Sequence, residues 1–520
     1  MQLKAKLLGL GAGRPVVIMH KETAEALDRH VDERVYVGYA GKNSKRIIAV
    51  VDIASHLVKP DEIIVSNEVA GYLGLKKGDA VDISIAPRPD SIFLIHRKLD
   101  CERFDKQKIK RIITDIVNNA LTEAEIAYFV SAVYNCGMSM QETAWMTESI
   151  VETGQKLNLR KKIIADKHSI GGIAGNRTTP IVVAICSAAG LVIPKTSSRA
   201  ITSAAGTADV IETIARVDFS ISELKKIITK VNACMIWGGA LGLAPADDKI
   251  IQVERLLKLD PEPQLLASIM AKKLAVGATH VLIDIPCGKT AKVTKQEAKK
   301  LAVGATHVLI DIPFGKTAKV TKKEAGKLRK KFFWLARYFK IKLDCILTDG
   351  SQPIGNGIGP VLEMRDVLAV LKQLPSKPMD LEKKSLLLSS RLLELAGRAK
   401  KGKGMELAAQ ILQSGKAFEK FKQIILAQKG DFNNLHLAPF SFTIKANKRC
   451  KIIEIDNKKI NALARRVGCP ADKEAGLYLY RHVGNILKKG EKFLAIYAKS
   501  KVKLKEAVAF YKKAKPISLR

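Results

Sequence analysis

Apolar positions change their period several times along the chain. Up to about residue 86, short runs that alternate apolar and polar residues, such as "RVYVGYA", "RIIAVVDI" and "AVDISIAP", are separated by turns rich in Gly, Asn and Asp. A period of two residues indicates strands. The sequence therefore predicts a small N-terminal β-barrel domain over 1–86, followed by a linker in "APRPDSI".

Beyond the linker the apolar spacing becomes three, four and seven residues, which indicates helices. "LTEAE" and "MSMQE" both place a glutamate three residues after a hydroxyl side chain, a pattern typical of a helix start. These features predict a helical domain over 87–160, packed with the domain that follows it.

From 161 to 370, apolar segments such as "HVLIDIP" and "KLDCILTD" alternate with helical segments and glycine loops. This alternation predicts a largely parallel α/β domain. A helical linker region over 371–404 ends in the basic "GRAKKGKG", and 405–520 mixes helices with "FSFTIKA", "CKIIEID" and "FLAIYA". The predicted fold class is multidomain α/β with a C-terminal α+β domain.

Composition excludes some classes of protein and leaves others open. The 520 residues carry a net charge of +37, but the lysines are spread along the chain and only 5% of residues are aromatic. This favours a solvated basic surface over a nucleic-acid site. Because no apolar run is long enough for a membrane span or a signal peptide, we expect a cytoplasmic protein with no membrane partner. Eight scattered cysteines without C-x-x-C lead us to expect neither a disulfide nor a zinc site.

The segment "DKHSIGGIAGNRTTP" (166–180) concentrates glycines, basic residues and hydroxyls directly before the apolar run "IVVAICSAAGLVI". If that run is a helix, its free N–H groups and its dipole favour an anion at this loop. A glycine-rich turn that caps a structural helix is the alternative, and a buried strand in place of the helix is also compatible with the run.

A second polar segment, "PKTSSRAITSAAGTADVIETI", holds eight basic or hydroxyl side chains between Lys195 and Thr207. A surface turn seldom needs so many hydroxyls beside an arginine, so we interpret this loop as a ligand site. From the two segments the phosphate-binding candidates are Lys167, His168, Ser169, Arg177, Thr178 and Ser197.

Two further segments are weaker signals. "WGGALGLAPADDKI" ends in Asp247 and Asp248, which helix capping would explain. In "DPEPQLLASIMAKK", Asp260 precedes a proline as an ordinary N-cap does, while Ser268 and Lys272 share a helix face.

Taken together, "KHSIGG", "GNRTTP", "KTSSRAITSAAGTAD", "GGALGLAPADDK", "DPEPQLLASIMAKK" and "LTDGSQPIGNGIGP" resemble the thymidine phosphorylase superfamily, in particular its archaeal AMP phosphorylase branch. The resemblance covers essentially the whole chain, including the N-terminal β domain that bacterial pyrimidine nucleoside phosphorylases lack. "GNRTT" and "SSRAITSAAGT" stand where bacterial members usually carry "GDKTS" and "SGRGLGHTGGT". This departure favours a nucleotide enzyme over a nucleoside enzyme.

The resemblance implies reversible phosphorolysis of AMP, and of CMP and UMP, to a free base and ribose 1,5-bisphosphate, with no metal or organic cofactor. Its partners would be a nucleoside monophosphate and orthophosphate, in a homodimer or larger homo-oligomer that does not bind nucleic acid. Because such a site holds two anions at once, the additional arginine and hydroxyls of "GNRTT" suit it. A thymidine or pyrimidine nucleoside phosphorylase is the alternative, and a basic RNA-binding protein on a degenerate phosphorylase scaffold is a third hypothesis.

The resemblance also assigns residues. Asp260 matches the proton donor, although a capping role would explain it equally, and His168 is a second candidate acid. The matched substrate-binding residues are Gly172, Ser198, Arg199, Ala200, Ile201, Thr202, Ser203, Thr207, Ser268 and Lys292.

A nearly identical tandem repeat occupies 271–297 and 298–324, with differences only at 287/314 and 296/323. Two units are too few for a solenoid, so they indicate a recent duplication or an error in the gene model. Lys292 and Lys319 compete for one site. We expect the first copy to occupy the sheet position, because the helix with Ser268 and Lys272 leads into it, and the second copy to be a peripheral insertion. The second copy has its own claim, since it leads directly into "AGKLRKKFFWLARYF".

Overall fold

The computed structural model describes residues 1–40, 45–169, 173–200, 203–257, 259, 261–284, 307–311, 342–346, 349–433 and 435–520. These residues form two compact units, Met1–Gly154 with Pro245–Ser268 and Gln155–Ala244 with Ile269–Arg520. Within those ranges no helix is long and apolar enough to cross a membrane.

The elements follow one another in chain order. The strands are β1 (Gln2–Leu7), β2 (Val16–His20), β3 (Arg34–Tyr39), β4 (Arg46–Ala54), β5 (Glu62–Val65), β6 (Ala80–Ile85), β7 (Ala165–Ser169), β8 (Ile193–Ser197), β9 (Ala233–Trp237), β10 (His280–Asp284), β11 (His307–Asp311), β12 (Lys342–Ile346), β13 (Gly357–Ile358), β14 (Phe440–Lys445), β15 (Cys450–Ile455), β16 (Gly476–Leu479), β17 (Ile486–Leu487), β18 (Lys492–Ala498) and β19 (Ile517–Leu519). The helices are α1 (Lys21–Ala26), α2 (Asn67–Leu73), α3 (Ser91–Leu99), α4 (Lys106–Val117), α5 (Glu123–Cys136), α6 (Met140–Glu152), α7 (Thr178–Ala188), α8 (Thr207–Ile211), α9 (Ile221–Val231), α10 (Pro245–Leu257), α11 (Glu262–Ala275), α12 (Pro360–Leu371), α13 (Met379–Leu395), α14 (Gly404–Gln413), α15 (Lys416–Ala427), α16 (Asn457–Arg466) and α17 (Lys501–Ala514).

The first six strands close into a barrel in the order β1-β5-β2-β4-β3-β6. The period of two residues explains why, since Leu3 and Ala5 are buried while Gln2 and Lys4 are exposed. Closure removes the free sheet edges that a short open sheet would leave. The predicted N-terminal barrel is thus confirmed.

Besides the barrel, the first unit contains helices α1 to α6, α10 and the first part of α11. Thr122 and Ser139 form capping boxes with Glu125 and Glu142, as their spacing predicts. Glu142 also accepts a hydrogen bond from the buried Lys98 at 3.0 Å. Burial acts to raise the pKa of Glu142, but these hydrogen bonds, with one from a backbone N–H, outweigh it and lower the pKa to about 2.

One cysteine pair corrects the expectation that the chain has no disulfide. Cys101 and Cys136 are bonded, with their Cα atoms 5.1 Å apart. The two cysteines are 35 residues apart in sequence, but α3 and α5 pack together so that Cys101, just after α3, meets the last residue of α5. Cysteine spacing alone could not show this contact, because it depends on helix packing.

The second unit contains a parallel sheet. Its strands run β12-β11-β10-β7, and β8 pairs with β9 in parallel. A parallel bridge between Ile164 and Val192 connects β7 to β8. The predicted parallel sheet is confirmed, and helix α7 is buried against it along its whole length.

The repeat contributes two neighbouring strands to this sheet. β10, from the first copy, pairs with β7, which agrees with the expected position of that copy. β11, from the second copy, pairs residue for residue with its duplicate, Val281 opposite Val308, and lies between β10 and β12. The expectation of a peripheral insertion is therefore wrong. An identical apolar strand can extend the sheet in register, so the second copy takes a place inside the sheet and β12 pairs with β11.

The C-terminal part contains antiparallel sheets in the orders β13-β16-β18-β14 and β17-β15-β19, with α16 and α17 beside them. This agrees with the predicted α+β character. Three elements pack across the predicted domain boundaries. α14 and α15 bury Leu412 and Phe421 in the core of the α/β sheet, and β13 pairs with β16. An amphipathic pattern shows that a helix buries one face, but not which core receives it.

Candidate active site

The first glycine loop leads directly into helix α7, so the run after it is a helix and not a strand. Gly175 has a φ of +70°, and a side chain there would collide with the carbonyl oxygen of Ile354. The first two helical residues, Thr178 and Thr179, are buried, and each hydroxyl accepts a hydrogen bond of 3.0 Å from Lys167 Nζ. The structure thus brings together three residues that the sequence placed eleven and twelve positions apart.

The buried carboxylate of Asp166 accepts the backbone N–H of its neighbour Lys167 at 2.7 Å, and two further buried lysines approach it. Lys273 Nζ donates to Asp166 Oδ2 at 2.6 Å and to Thr196 Oγ1 at 3.3 Å, and Lys195 Nζ lies 3.8 Å from Asp166 Oδ1. Burial, together with the neighbouring charges of Lys273 and Lys167, lowers the pKa of Lys195 well below its ordinary value. We call Asp166, Lys167, Lys195 and Lys273 the lysine cluster. Its composition favours an anion nearby.

The second loop folds tightly back on itself. A Cβ atom on Gly206 would lie 2.6 Å from the carbonyl oxygen of Ser198, so only glycine fits there. Asp209 Oδ2 accepts the N–H groups of Ala200 and Gly206, both at 2.7 Å. The hydroxyls of Ser197 and Ser203 donate to backbone carbonyls at 3.1 and 3.0 Å. These contacts fix the described parts of this loop on either side of 201–202.

Arg199 lies on this loop between two acids and an aromatic ring. Its two terminal nitrogens donate to the carboxylate of Glu212 at 2.6 and 2.7 Å, and Asp209 is 3.6 Å away. The guanidinium stands 4.9 Å from the centre of the Trp237 ring. The hydrogen bonds to Glu212 raise the pKa of Arg199 further above its ordinary value. The side chain is fixed while a third of it remains exposed, and its predicted contact with substrate stays a prediction.

Arg177 connects the two loops. It donates to Thr207 Oγ1 at 3.0 Å, to the carbonyl of Ala205 at 2.9 Å and to Glu363 Oε2 at 2.6 Å. Burial raises the pKa of Glu363, and Arg177 opposes that shift. Arg177, which directly precedes α7, therefore holds the end of the second loop against the start of α7. Its predicted role in phosphate binding stays a prediction.

In the first unit, Ser268 donates to Asp247 Oδ2 at 3.0 Å. Asp247 is buried in the first turn of α10, where the sequence offered a capping role for it. This hydrogen bond thus joins the two segments "WGGALGLAPADDKI" and "DPEPQLLASIMAKK".

Several predicted site residues lie outside the described residues. These are Asp260, Gly172, Ile201, Thr202 and Lys292, while for His168 and Ser169 only the backbone, in β7, is described. The proton donor and much of the nucleotide contact set therefore stay predictions. Within the described ranges, no group of three or more His, Cys, Asp or Glu side chains converges as metal ligands would.

The sequence interpretation missed the acids that hold these basic groups. Asp166, Asp209, Glu212 and Glu363 were assigned no role in the site, yet each contacts a predicted site residue or its loop. Asp166, Asp209 and Glu212 lie inside the two quoted polar segments, so a local signal was present for these three. Glu363 lies 186 residues from Arg177, and no local pattern connects the two.

Comparison with known proteins agrees with this architecture. Residues 93–154 match the glycosyl transferase family helical bundle domain, 161–326 match the α/β domain of the same family, and 451–518 match the pyrimidine nucleoside phosphorylase C-terminal domain. The fold and the loops together define a glycosyl transferase family enzyme.

Known relatives match this chain over nearly its full length. An AMP phosphorylase of Pyrococcus furiosus is 39% identical over 523 residues, covering 100% of this chain and 98% of the relative. One from Thermococcus kodakarensis is 40% identical, with the same coverage, and one from Methanocaldococcus jannaschii is 40% identical, covering 99% of this chain and 97% of the relative. The chain belongs to the AMP phosphorylase family of the thymidine phosphorylase superfamily, which confirms the resemblance.

Proposed function

We propose that this enzyme catalyses the reversible phosphorolysis of AMP. Orthophosphate attacks C1′ of the ribose, the bond between C1′ and N9 of adenine breaks, and a new bond forms between C1′ and a phosphate oxygen. The leaving base takes up one proton, and the products are adenine and ribose 1,5-bisphosphate. CMP and UMP are further proposed substrates.

The observation that carries the proposal is the convergence of cationic and hydroxyl groups around β7 and β8. Lys167 with Thr178 and Thr179 forms one group, and Ser203, Thr207 and Arg199 lie on the second loop. An anion is favoured near buried ammonium groups that outnumber their carboxylate. We assign the lysine group to one of the two anions of the reaction and the hydroxyls of the second loop, beside the acid-paired Arg199, to the other.

In this proposal charge stabilisation accounts for most of the catalysis. C1′ develops positive character as the bond to the base lengthens, and the bound phosphate is held where it can stabilise that charge and then attack. Asp260 is the proposed proton donor to the base. We also infer a homodimer or larger assembly in the cytoplasm, with nucleotide and phosphate rather than nucleic acid as partners.

The direct test is release of free base in the presence of phosphate. We expect adenine to be released from AMP far faster than from adenosine, because the 5′-phosphate supplies binding energy that the nucleoside lacks. Equal rates for AMP and adenosine would contradict the two-anion proposal. Omitting phosphate from the assay is the control, since hydrolysis would continue without it.

A pair of arginines tests the second loop. Arg199→Ala should lower kcat/KM for AMP by about a hundredfold, as expected when a charged contact to an anion is lost. Arg216→Ala is the matched control, because Arg216 also pairs with acids and lies 4.7 Å from an aromatic ring, that of Phe219. If both variants keep the wild-type rate, Arg199 does not bind substrate.

Asp260→Asn tests the proposed donor. Base release should be abolished while the variant remains folded. A variant that turns over normally would show that Asp260 is not the acid, and Asp260→Ala, which unlike Asn removes a capping side chain, should then only lower the melting temperature.

One observation favours a second candidate. The C-terminal match is to a domain of pyrimidine nucleoside phosphorylases. Thymidine and uridine should therefore be assayed beside AMP, and cleavage of these nucleosides at the rate of AMP would support the alternative.

A further inference from the structure

Helix α16 presents two buried asparagines to the two candidate loops. Asn457 Oδ1 accepts the backbone N–H of Ala174 at 3.1 Å, and Asn461 Oδ1 accepts the backbone N–H of Ala204 at 3.0 Å. Because the asparagines are four positions apart, they share one face of the helix. One rigid element thus contacts both loops.

The two alanines are themselves part of the C-terminal core. Ala174 and Ala204 are each 1% exposed and pack in the same cluster as Ile460, Leu463 and Val467. The backbone next to each loop is therefore held twice, by apolar packing and by a hydrogen bond. A buried N–H without an acceptor is costly, so loss of either asparagine should release its segment.

These anchored segments lead directly to predicted ligand groups. Ala174 is three residues before Arg177 and four before Thr178, and Ala204 directly follows Ser203. The loops follow different strands, β7 and β8, and besides Arg177, which joins them through Thr207 and Ala205, helix α16 contacts both. The spacing of about 6 Å between positions i and i+4 of a helix supplies a fixed distance between them.

We propose that Asn457 and Asn461 are positioning residues that help to set the spacing between the glycine loop before α7 and the second loop, after β8. This inference rests on the proposed function, because it assumes that both loops bind one substrate pair. Lys473 adds a parallel contact from the C-terminal part, 3.1 Å from the carboxylate of Glu212 that orients Arg199. The C-terminal α+β region therefore contributes to substrate binding without touching the substrate.

The kinetic test compares variants of one helix. Asn457→Leu and Asn461→Leu remove the acceptor at similar volume, and each should raise KM for AMP and for phosphate about tenfold, the effect of one lost buried hydrogen bond, with a smaller change in kcat. Asn457→Asp and Asn461→Asp keep an acceptor oxygen and should restore most of the affinity. Where a leucine variant does not fold, the alanine variant takes its place.

Asp456→Ala is the matched control. Asp456 caps α16 by accepting the N–H groups of Lys458 and Lys459 and contacts neither loop through those bonds. Losing this cap should lower the melting temperature as the asparagine variants do, but leave both KM values at the wild-type level. Equal KM values in the asparagine variants and in this control would overturn the proposal.

Hydrogen exchange separates the failure of this inference from failure of the proposed function. The amides of Ala174 and Ala204 should exchange at least tenfold faster in the corresponding leucine variants, and at the wild-type rate in Asp456→Ala. This measurement needs no substrate. If wild-type protein releases no base from AMP but the two amides respond as expected, the proposed function fails while the anchoring of the loops stands. Unchanged exchange at both amides overturns the anchoring itself.

Discussion

Replacing Asp166 by asparagine should destabilise the second unit in a way that depends on pH. The wild-type carboxylate receives a hydrogen bond from Lys273 at 2.6 Å and lies 3.8 Å from Lys195. Asparagine has nearly the same shape but no charge. The folded variant must therefore keep an uncompensated buried ammonium or give up its proton.

The expected loss of stability depends on whether the buried lysine keeps or gives up its proton. Removing one partner of a buried ion pair costs about 3–5 kcal/mol. Giving up the proton of an ordinary lysine with a pKa near 10.4 costs about 4.6 kcal/mol at pH 7 and about 0.5 kcal/mol at pH 10. The loss of stability should thus fall from about 4 kcal/mol at pH 7 to less than about 1 kcal/mol at pH 10.

In the variant the unfolded chain binds more protons than the folded chain between these pH values, so stability rises with pH. Lys195 contributes a slope of the same sign in the wild type, because burial lowers its pKa. The quantity to measure is therefore the difference in free energy of unfolding between variant and wild type, by urea unfolding at pH 7, 8.5 and 10.

Glu363→Gln is the matched control. It removes a buried carboxylate from Arg177, 2.6 Å away, and a guanidinium does not lose its proton in this range. Its loss of stability should be the same at pH 7 and pH 10. If the loss of stability for Asp166→Asn is equally independent of pH, the unpaired lysines of the lysine cluster are not its source.

Three further predictions concern other parts of the chain. Glu142→Gln should lower the free energy of unfolding by about 3 kcal/mol at pH 7 and by little near pH 2. Because the pKa of Glu142 is lowered from 4.5 to about 2, its contribution is complete above pH 4.5 and is lost as the pH falls through about 2. Thermal unfolding measured against pH tests this. Replacing both Cys101 and Cys136 by serine should cost about 4 kcal/mol for a separation of 35 residues, and a reductant that lowers the melting temperature of the double variant as well would contradict this origin. Lys292→Ala should lower phosphorolysis and Lys319→Ala should not, because the first copy pairs with β7; loss in the Lys319 variant alone would reverse the assignment.

Much of the fold could be predicted from the sequence because it depends on local periodicity. The alternating pattern around Leu3 and Ala5 gives a strand with one buried face, and the spacing of Thr122 and Glu125 gives a capped helix start. The glycine loop before α7 could be predicted as well, because its residues are close together along the chain. The resemblance, based on six quoted segments, identified the family that the relatives then confirmed.

The candidate site was predictable in its basic and hydroxyl residues but not in its acids. Sequence shows that Arg177 and Lys167 stand in polar loops. It does not show that Glu363 neutralises the first, or that Lys273 joins Asp166 from 107 residues away. Such pairs form only after distant segments pack together, and their energy depends on burial, which no local pattern reports.

The sequence by itself determined the order and kind of most elements, the family and the loops that carry the chemistry, since each depends on residues close together along the chain. Three features depend on tertiary structure: the pairing of the two bonded cysteines, the position of the second repeat copy in the sheet, and the contact of Asn457 and Asn461 with two separate loops. The physical reason is that side-chain spacing along a helix or strand is fixed by its geometry. Which distant backbone group a given side chain contacts depends on how the packed core brings distant segments of the chain together.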